Sequence, residues 1–369
     1  MNNWLKVLLI ACISVLFPVN NLYSQERWED IFERLMVNGD ENSSQWENLM
    51  EDLTDLREHP ININTATKEQ LKKFPFLSER LVENILYYLY KYGPMLSDKE
   101  LLMVQDMDIQ TVRYLKPFIT FQSSDKEKDK PTLKTIINHG KQEFSTRLDI
   151  PFYTRKGYQP ITSEELRENP NKRYLGYAFY HNFRYTFRYS DKVYVGLTAE
   201  KDAGEPFFTG KNQKGYDYYS PYLLIRDMGK LKTLALGNYR LNYGYGLVMN
   251  TDFNMGKTTA LNTLLNRESG IKKHSSTDEY NYFQGIAGSI QLSEHFTADA
   301  FYSYRQMDGI VDNRFITSLK EDGYHRIPRD YEKKNSLTNQ LIGSNIQYNG
   351  KNFELGLTAV YNFFNKVLN

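Results

Sequence analysis

The sequence predicts a multi-domain chain, all-α at first and antiparallel β afterwards. Three observations carry this. Apolar residues recur at helical spacing as far as Phe118. A charged stretch, Gln122–Pro131, then breaks the pattern, and from about Thr135 the periodicity becomes alternation. The 369 residues suffice for two or three domains. Lys+Arg 46 against Asp+Glu 45 gives a formal charge of +1, so no global field recruits nucleic acid. With 29 Tyr and 21 Phe in a chain of mean hydropathy −0.61, β-structure with polar loops fits better than a bundle of membrane helices.

Residues 1–25 read as a secretory signal. Lys6 opens it, and Val7–Val19 is an apolar core too short to cross a bilayer as a helix. A turn-forming stretch at Asn20-Asn21 leads to cleavage near Ser24 or Gln25. Leu9-Ile10-Ala11-Cys12 resembles a lipobox, but the apolar sequence that continues past Cys12 favours ordinary cleavage. The mature chain then has no cysteine, which excludes disulfides and thiolate metal sites. Residues 26–59 form an acidic helical segment with eleven Asp and Glu against three Arg. Trp28, Ile31, Phe32 and Leu35 make one apolar stripe, and Trp46, Leu49, Met50, Leu53 and Leu56 a second. A helical pair with a solvated acidic outer face, packed on the helical unit C-terminal to it, is expected.

Residues 60–120 read as two tandem helix–turn–helix units with turns at Phe74–Ser78 and Val104–Asp108. Thr65 or Thr67 caps a helix over Lys68–Lys73. Leu81, Ile85, Leu86 and Leu89 are the buried stripe of the next, which Gly93-Pro94 stops. Ser97 caps Asp98–Val104, and Ile109–Leu115 closes the module. With Asn62, Asn64, Thr65, Ala66, Leu71, Pro75, Gly93, Pro94, Leu101 and Pro117, this stretch resembles the helix-hairpin-helix domain of competence-type DNA-uptake proteins, the ComEA-like family. The resemblance implies a compact helical fold. It also implies DNA contact through glycine turns, whose N–H groups approach a phosphate at a helix N-terminus. Here Phe76 and Ser78 replace the glycines of the first turn, and Asp106 and Asp108 those of the second. Between Pro60 and Thr120, eight Lys and Arg face seven Asp and Glu, so no basic patch compensates. Docking on a protein, or gating by folding against the barrel mouth, is therefore expected and DNA is disfavoured as a partner. Any residual nucleic-acid contact falls to Lys72, Lys73, Ser78 and Arg80.

A charged linker, 121–134, leads to an antiparallel β domain over 135–369. Alternation is clearest in Val193–Glu200, Phe296–Arg305 and Phe353–Tyr361, with further strands near 143–151, 176–189, 218–227, 231–241, 282–292 and 338–349. Strands near ten residues, apolar on one face and polar or small on the other, match an outer-membrane β-barrel. Aromatic residues along Phe179–Tyr189 and at Tyr216–Tyr222 suit its girdles, and His181 is placed in the lumen or a girdle. Short connections such as Ser190-Asp191 and Ser293-Glu294 alternate with long ones, Thr251–Tyr280 and Asp308–Asn335, which read as outer loops. A soluble β-sandwich is the competing architecture. The roughly nine strands are an odd number, and single-chain bacterial barrels have an even one. An incomplete barrel, the front part of a longer one, is expected. The layout resembles larger helix-hairpin-helix-containing outer-envelope proteins of Gram-negative bacteria, with the helical module in the periplasm.

No enzyme signature emerges. Gly256-Lys257-Thr258 lacks the first glycine of a phosphate loop, and Gly244-Tyr245-Gly246 lacks the third of a dinucleotide loop. The six histidines show no ligand spacing. Neither cofactor nor metal is expected; outer-membrane lipid and an envelope protein are the expected partners. The competing functions are a DNA-uptake factor and an outer-membrane enzyme whose site lies in barrel loops.

Overall fold

The computed structural model describes residues 60–72, 74, 76–121, 132–251, 270–350 and 353–368, preceded by Leu53, Leu56 and Arg57. The expected signal, the apolar stripes of the acidic segment other than Leu53 and Leu56, the linker over 122–131 and Gly256-Lys257-Thr258 lie outside them. So do Lys73 and Pro75.

The helical module opens with β1 (Ile61–Asn62) and ends with β2 (Ile119–Thr120), which pair in parallel. Between them run α1 (Lys68–Leu71), α2 (Glu79–Tyr92), α3 (Asp98–Leu101) and α4 (Ile109–Leu115). Thr67 caps α1 in a reciprocal box with Gln70. Gly93, at φ +88°, ends α2, donating its N–H to Leu89 O. Ile63, Leu71, Phe74, Ile85, Met95, Leu101 and Leu115 are wholly buried. Val82 is buried with Leu81 and Ile85, whereas Leu86 and Leu89 are only half-buried. The expected Ser97 cap is corrected: its side chain makes no capping bond. Glu100 instead reaches back to the Leu96 N–H at 3.0 Å, and α3 stops at Leu101.

After α5 (Leu133–His139) come β3 (Lys141–Asp149), α6 (Ser163–Glu168), β4 (Tyr180–Tyr189), β5 (Val193–Lys201), β6 (Tyr218–Met228) and β7 (Leu231–Asn242). Then follow β8 (Gly270–Lys273), β9 (Phe283–Gln291), β10 (Phe296–Met307), β11 (Gly309–Asp312), β12 (Phe315–Leu319), α7 (Pro328–Lys333), β13 (Leu337–Asn349), β14 (Glu354–Phe364) and β15 (Val367–Leu368). The main sheet is antiparallel in the order β14-β13-β10-β9-β7-β6-β5-β4-β3, with β8 joining β7. It is open, with β3 and β14 as edges. The four tight turns, after β4, β6, β9 and β13, lie at one end, and the long connections lie at the other.

One face of the sheet is covered in its middle and the other is open. Tyr218, Ser220, Tyr222 and Leu224 of β6 are buried while Tyr219 and Pro221 are exposed. In β10, Asp299, Phe301, Ser303 and Arg305 are buried while Ala300, Tyr302 and Tyr304 are exposed. On the covered side Leu224, Ala287, Phe301 and Leu341 pack with Tyr243, Met249 and Ile271 from the excursion between β7 and β9. The connection expected over Thr251–Tyr280 is long, and much of its described part, Ile271 and Lys273–Asp278, is buried against the sheet rather than left in solvent. Asp308–Asn335 is no bare loop either, since it holds the β11–β12 hairpin and α7. Gly237, at φ +87°, sits where a Cβ would lie 2.3 Å from Pro221 O, so only glycine fits this close approach of β6 and β7. Among the described residues no helix is long and apolar enough to cross a membrane, which says nothing of strands.

Candidate functional site

Two places concentrate chemistry. The first is the pair of hairpin turns. Ser78, expected as a DNA-contact residue, is the N-cap of α2, and its Oγ accepts the Leu81 N–H at 3.2 Å. Lys72 lies 3.6 Å from Glu79, and Lys68 bonds both Glu79 and Glu83, at 3.2 and 3.0 Å. Arg80 crosses to the second turn, where its Nε meets Asp106 Oδ2 at 2.8 Å. Asn84 joins there, donating to Gln105 O at 2.8 Å and Asp106 Oδ2 at 3.3 Å. Three of the four sequence-selected residues thus meet at the hairpins, each engaged within the module; Lys73 lies outside the described residues.

Asp106 has φ +65°, so the left-handed backbone of the turn persists without its glycine. Asp108 caps α4, accepting the Thr111 N–H at 2.6 Å. Phe76 packs against Phe74, Tyr114 and Phe118 at 5.6–6.3 Å between ring centroids. Both helix N-termini are therefore closed by side chains of the protein itself.

The second place was not legible beforehand. At the long-loop end of the sheet, His325 lies between two carboxylates, with Nδ1 2.5 Å from Asp217 Oδ2 and Nε2 2.6 Å from Asp308 Oδ2. Lys334 Nζ holds the other Asp217 oxygen at 2.6 Å. Glu205 accepts the His325 backbone N–H at 2.6 Å and that of Asp202 at 2.9 Å. Burial opposes the His325 cation, yet the hydrogen bonds to Asp217 and Asp308 outweigh it and raise the imidazole to about 9. Burial likewise opposes the Asp217 and Asp308 carboxylates, but His325 holds both below their ordinary range, with Lys334 helping. Glu205, buried beside Asp217 and Asp202, is pushed up. Glu205, Asp217 and His325 place potential ligand atoms within 4.8 Å of one another. Both ring nitrogens are nonetheless at hydrogen-bond distance from carboxylates, closer than the ~3 Å between donors sharing one ion. The arrangement is a charged clasp that ties together the ends of β6 and β10 and the 308–336 excursion.

His181, placed by sequence in the lumen or a girdle, lies on the open face among Tyr177, Phe207 and Tyr216, at ring centroids 6.2, 4.8 and 5.0 Å away.

No curated protein and no solved structure matches the chain. Residues 57–120 match one family model, described as the helix-hairpin-helix motif, and they coincide with the module bounded by β1 and β2.

Proposed function

We propose that this chain is a non-enzymatic outer-membrane protein whose sheet faces lipid and whose helix-hairpin-helix module docks a protein in the periplasm. One observation carries the membrane reading. A single register row, Phe187-Val195-Leu223-Leu236-Ile286-Tyr302-Ile342-Tyr361, runs across eight consecutive strands of the open face. Every member is apolar or aromatic, and Ile342 and Tyr361 are 53% and 67% exposed. Beneath it the covered face is mixed, with Thr198, Ser220, Asp299, Ser303 and Arg305 buried beside the apolar cluster of Leu224, Phe301 and Leu341. A continuous apolar band left exposed outside such an interior is what lipid favours.

On β10 the open-face series Phe296, Ala298, Ala300, Tyr302, Tyr304 spans eight steps, roughly 27 Å along the strand and ~20 Å once tilted, near the height of a barrel's apolar band. Aromatic clusters flank the band. Tyr177, Phe179, Phe207 and Tyr216 lie at the loop end, and Phe296, Tyr348 and Phe353 at the turn end. The open edges suit a wall completed by further strands. The docking reading rests on the internal pairing of Lys68, Lys72 and Arg80 and on the capped helix N-termini.

Fractionation of the full chain tests the membrane reading. Recovery with the outer membrane and heat-modifiable gel mobility are expected; a monomer soluble without detergent overturns it. For the module, no double-stranded DNA binding at low salt is expected. Binding abolished by Lys72→Glu with Lys73→Glu would replace docking by DNA uptake.

A further inference from the structure

The excursion between β7 and β9 lies against the covered face, and its described part buries unusual residues. His274, Ser275 and Ser276 are buried to within 1%, and Thr277 and Asp278 nearly so. Five consecutive polar side chains are a poor choice for a packed core, because each must find a partner away from water. The side chains of Ser276 and Asp278 bond within the segment, and the wall supplies donors to its backbone carbonyls. Thr198 Oγ1 of β5 donates to Ser275 O at 2.6 Å, and Ser220 Oγ of β6 to His274 O at 2.9 Å. Tyr218 donates to Asp278 O at 3.3 Å. Arg305 of β10 donates from Nη1 to Tyr280 O at 2.6 Å and Tyr282 O at 2.8 Å, and from Nη2 to Glu279 O. The wall therefore grips carbonyls of this segment with donors from strands on both sides of β7.

We propose that His274–Tyr282 is a resident plug of the sheet's covered side, held by these donors, and that passage along that side requires its release. Polar contacts suit such a part, because leaving exchanges them for water, whereas an apolar core would resist exposure. Arg305 is the principal latch, since its guanidinium spans three carbonyls that nothing else in the wall reaches together. The inference rests on the membrane reading.

The test is ion conductance of the full chain in planar lipid bilayers, with heat-modifiable mobility scored on the same preparation. The wild-type chain is expected to stay near the bilayer background. Arg305→Ala, and separately Thr198→Val with Ser220→Ala, should raise the current about tenfold, the factor that losing such hydrogen bonds imposes on a two-state equilibrium. A chain without heat-modifiable mobility sinks the membrane reading. A heat-modifiable wild-type chain that conducts as freely as Arg305→Ala overturns the plug alone, and so do variants as silent as wild type.

Labelling by a charged thiol reagent provides a readout independent of current, using Ser276→Cys in a Cys12→Ser background with exposed Glu321→Cys as reference. Slow labelling of Ser276→Cys, accelerated by Arg305→Ala, is expected; labelling as fast as the reference overturns the plug.

Discussion

Asn64 uses its whole side chain to close the helical module. Its amide donates to Met95 O at 2.8 Å and Phe121 O at 3.2 Å, and its carbonyl accepts the Met95 N–H at 2.7 Å. Asn62 accepts the Asn64 N–H, so the Asn-x-Asn-Thr-Ala pattern is a device for joining the ends of the module rather than a contact surface. Asn64→Ala should lower its stability by roughly 2–3 kcal/mol through three unsatisfied backbone groups, read as an earlier thermal transition. His325 is the opposite case for legibility. The motif around Asn64 stands out in the sequence, whereas the partners of His325 lie 17, 108 and 120 residues away and leave no local pattern.

His325→Leu would strand two buried carboxylates and should cost on the order of 3–5 kcal/mol, seen as faster proteolysis within 308–336. The pH response has a definite sign. The folded His325 titrates above its ordinary 6.5, so its stabilisation is complete below about 6.5 and is lost as pH rises through about 9. Glu205, also raised, loses its contribution in the same direction. Asp217 and Asp308, held below 3.8, stabilise above that value and fail on acidification. Proteolysis of the excursion should therefore be slowest between about pH 4 and 4.5, quickening on acidification and again as pH rises through about 7 and then about 9; a flat profile would exclude the clasp.

Among the elements, alternation made the strands readable. The nine long strands of the sheet fall within a few residues of the sequence expectation, because a period of two is unambiguous over nine to thirteen residues. β8, β11, β12 and β15 are too short to show a period, and register and neighbours brought them out. Tyr189 shows how local pattern fails: it alternates with the open-face aromatics, yet Ile136 of α5 packs on it and buries it. Whether the open face meets lipid can be decided at one side chain. Ile342→Arg should cost about 2–4 kcal/mol if the open face meets hydrocarbon. In water the same half-exposed position should change stability by no more than about 0.5 kcal/mol. Chemical unfolding from lipid vesicles distinguishes the two.

For the whole molecule, the α-then-β division and the segregation of short turns from long connections were legible. Closure was not, because an edge strand differs from a central one only in what lies beside it. Nor was the filling of the covered side, since polar residues such as His274–Asp278 read as a loop until the wall donors that hold them are seen. β3 and β14 leave free backbone edges, which proteins ordinarily cover or blunt. A chain kept from membranes should therefore self-associate, as sedimentation in mild detergent and in its absence would reveal.

Nine strands alternating in direction leave β3 and β14 pointing the same way, each running from the tight-turn end to the long-loop end. A ring closed directly between them would need a parallel seam, whereas one added antiparallel strand would remove that need. An odd number of crossings also has a topographic meaning in a bilayer. On the membrane reading, the strands described here would put the chain entering β3 and the chain leaving β14 in opposite compartments.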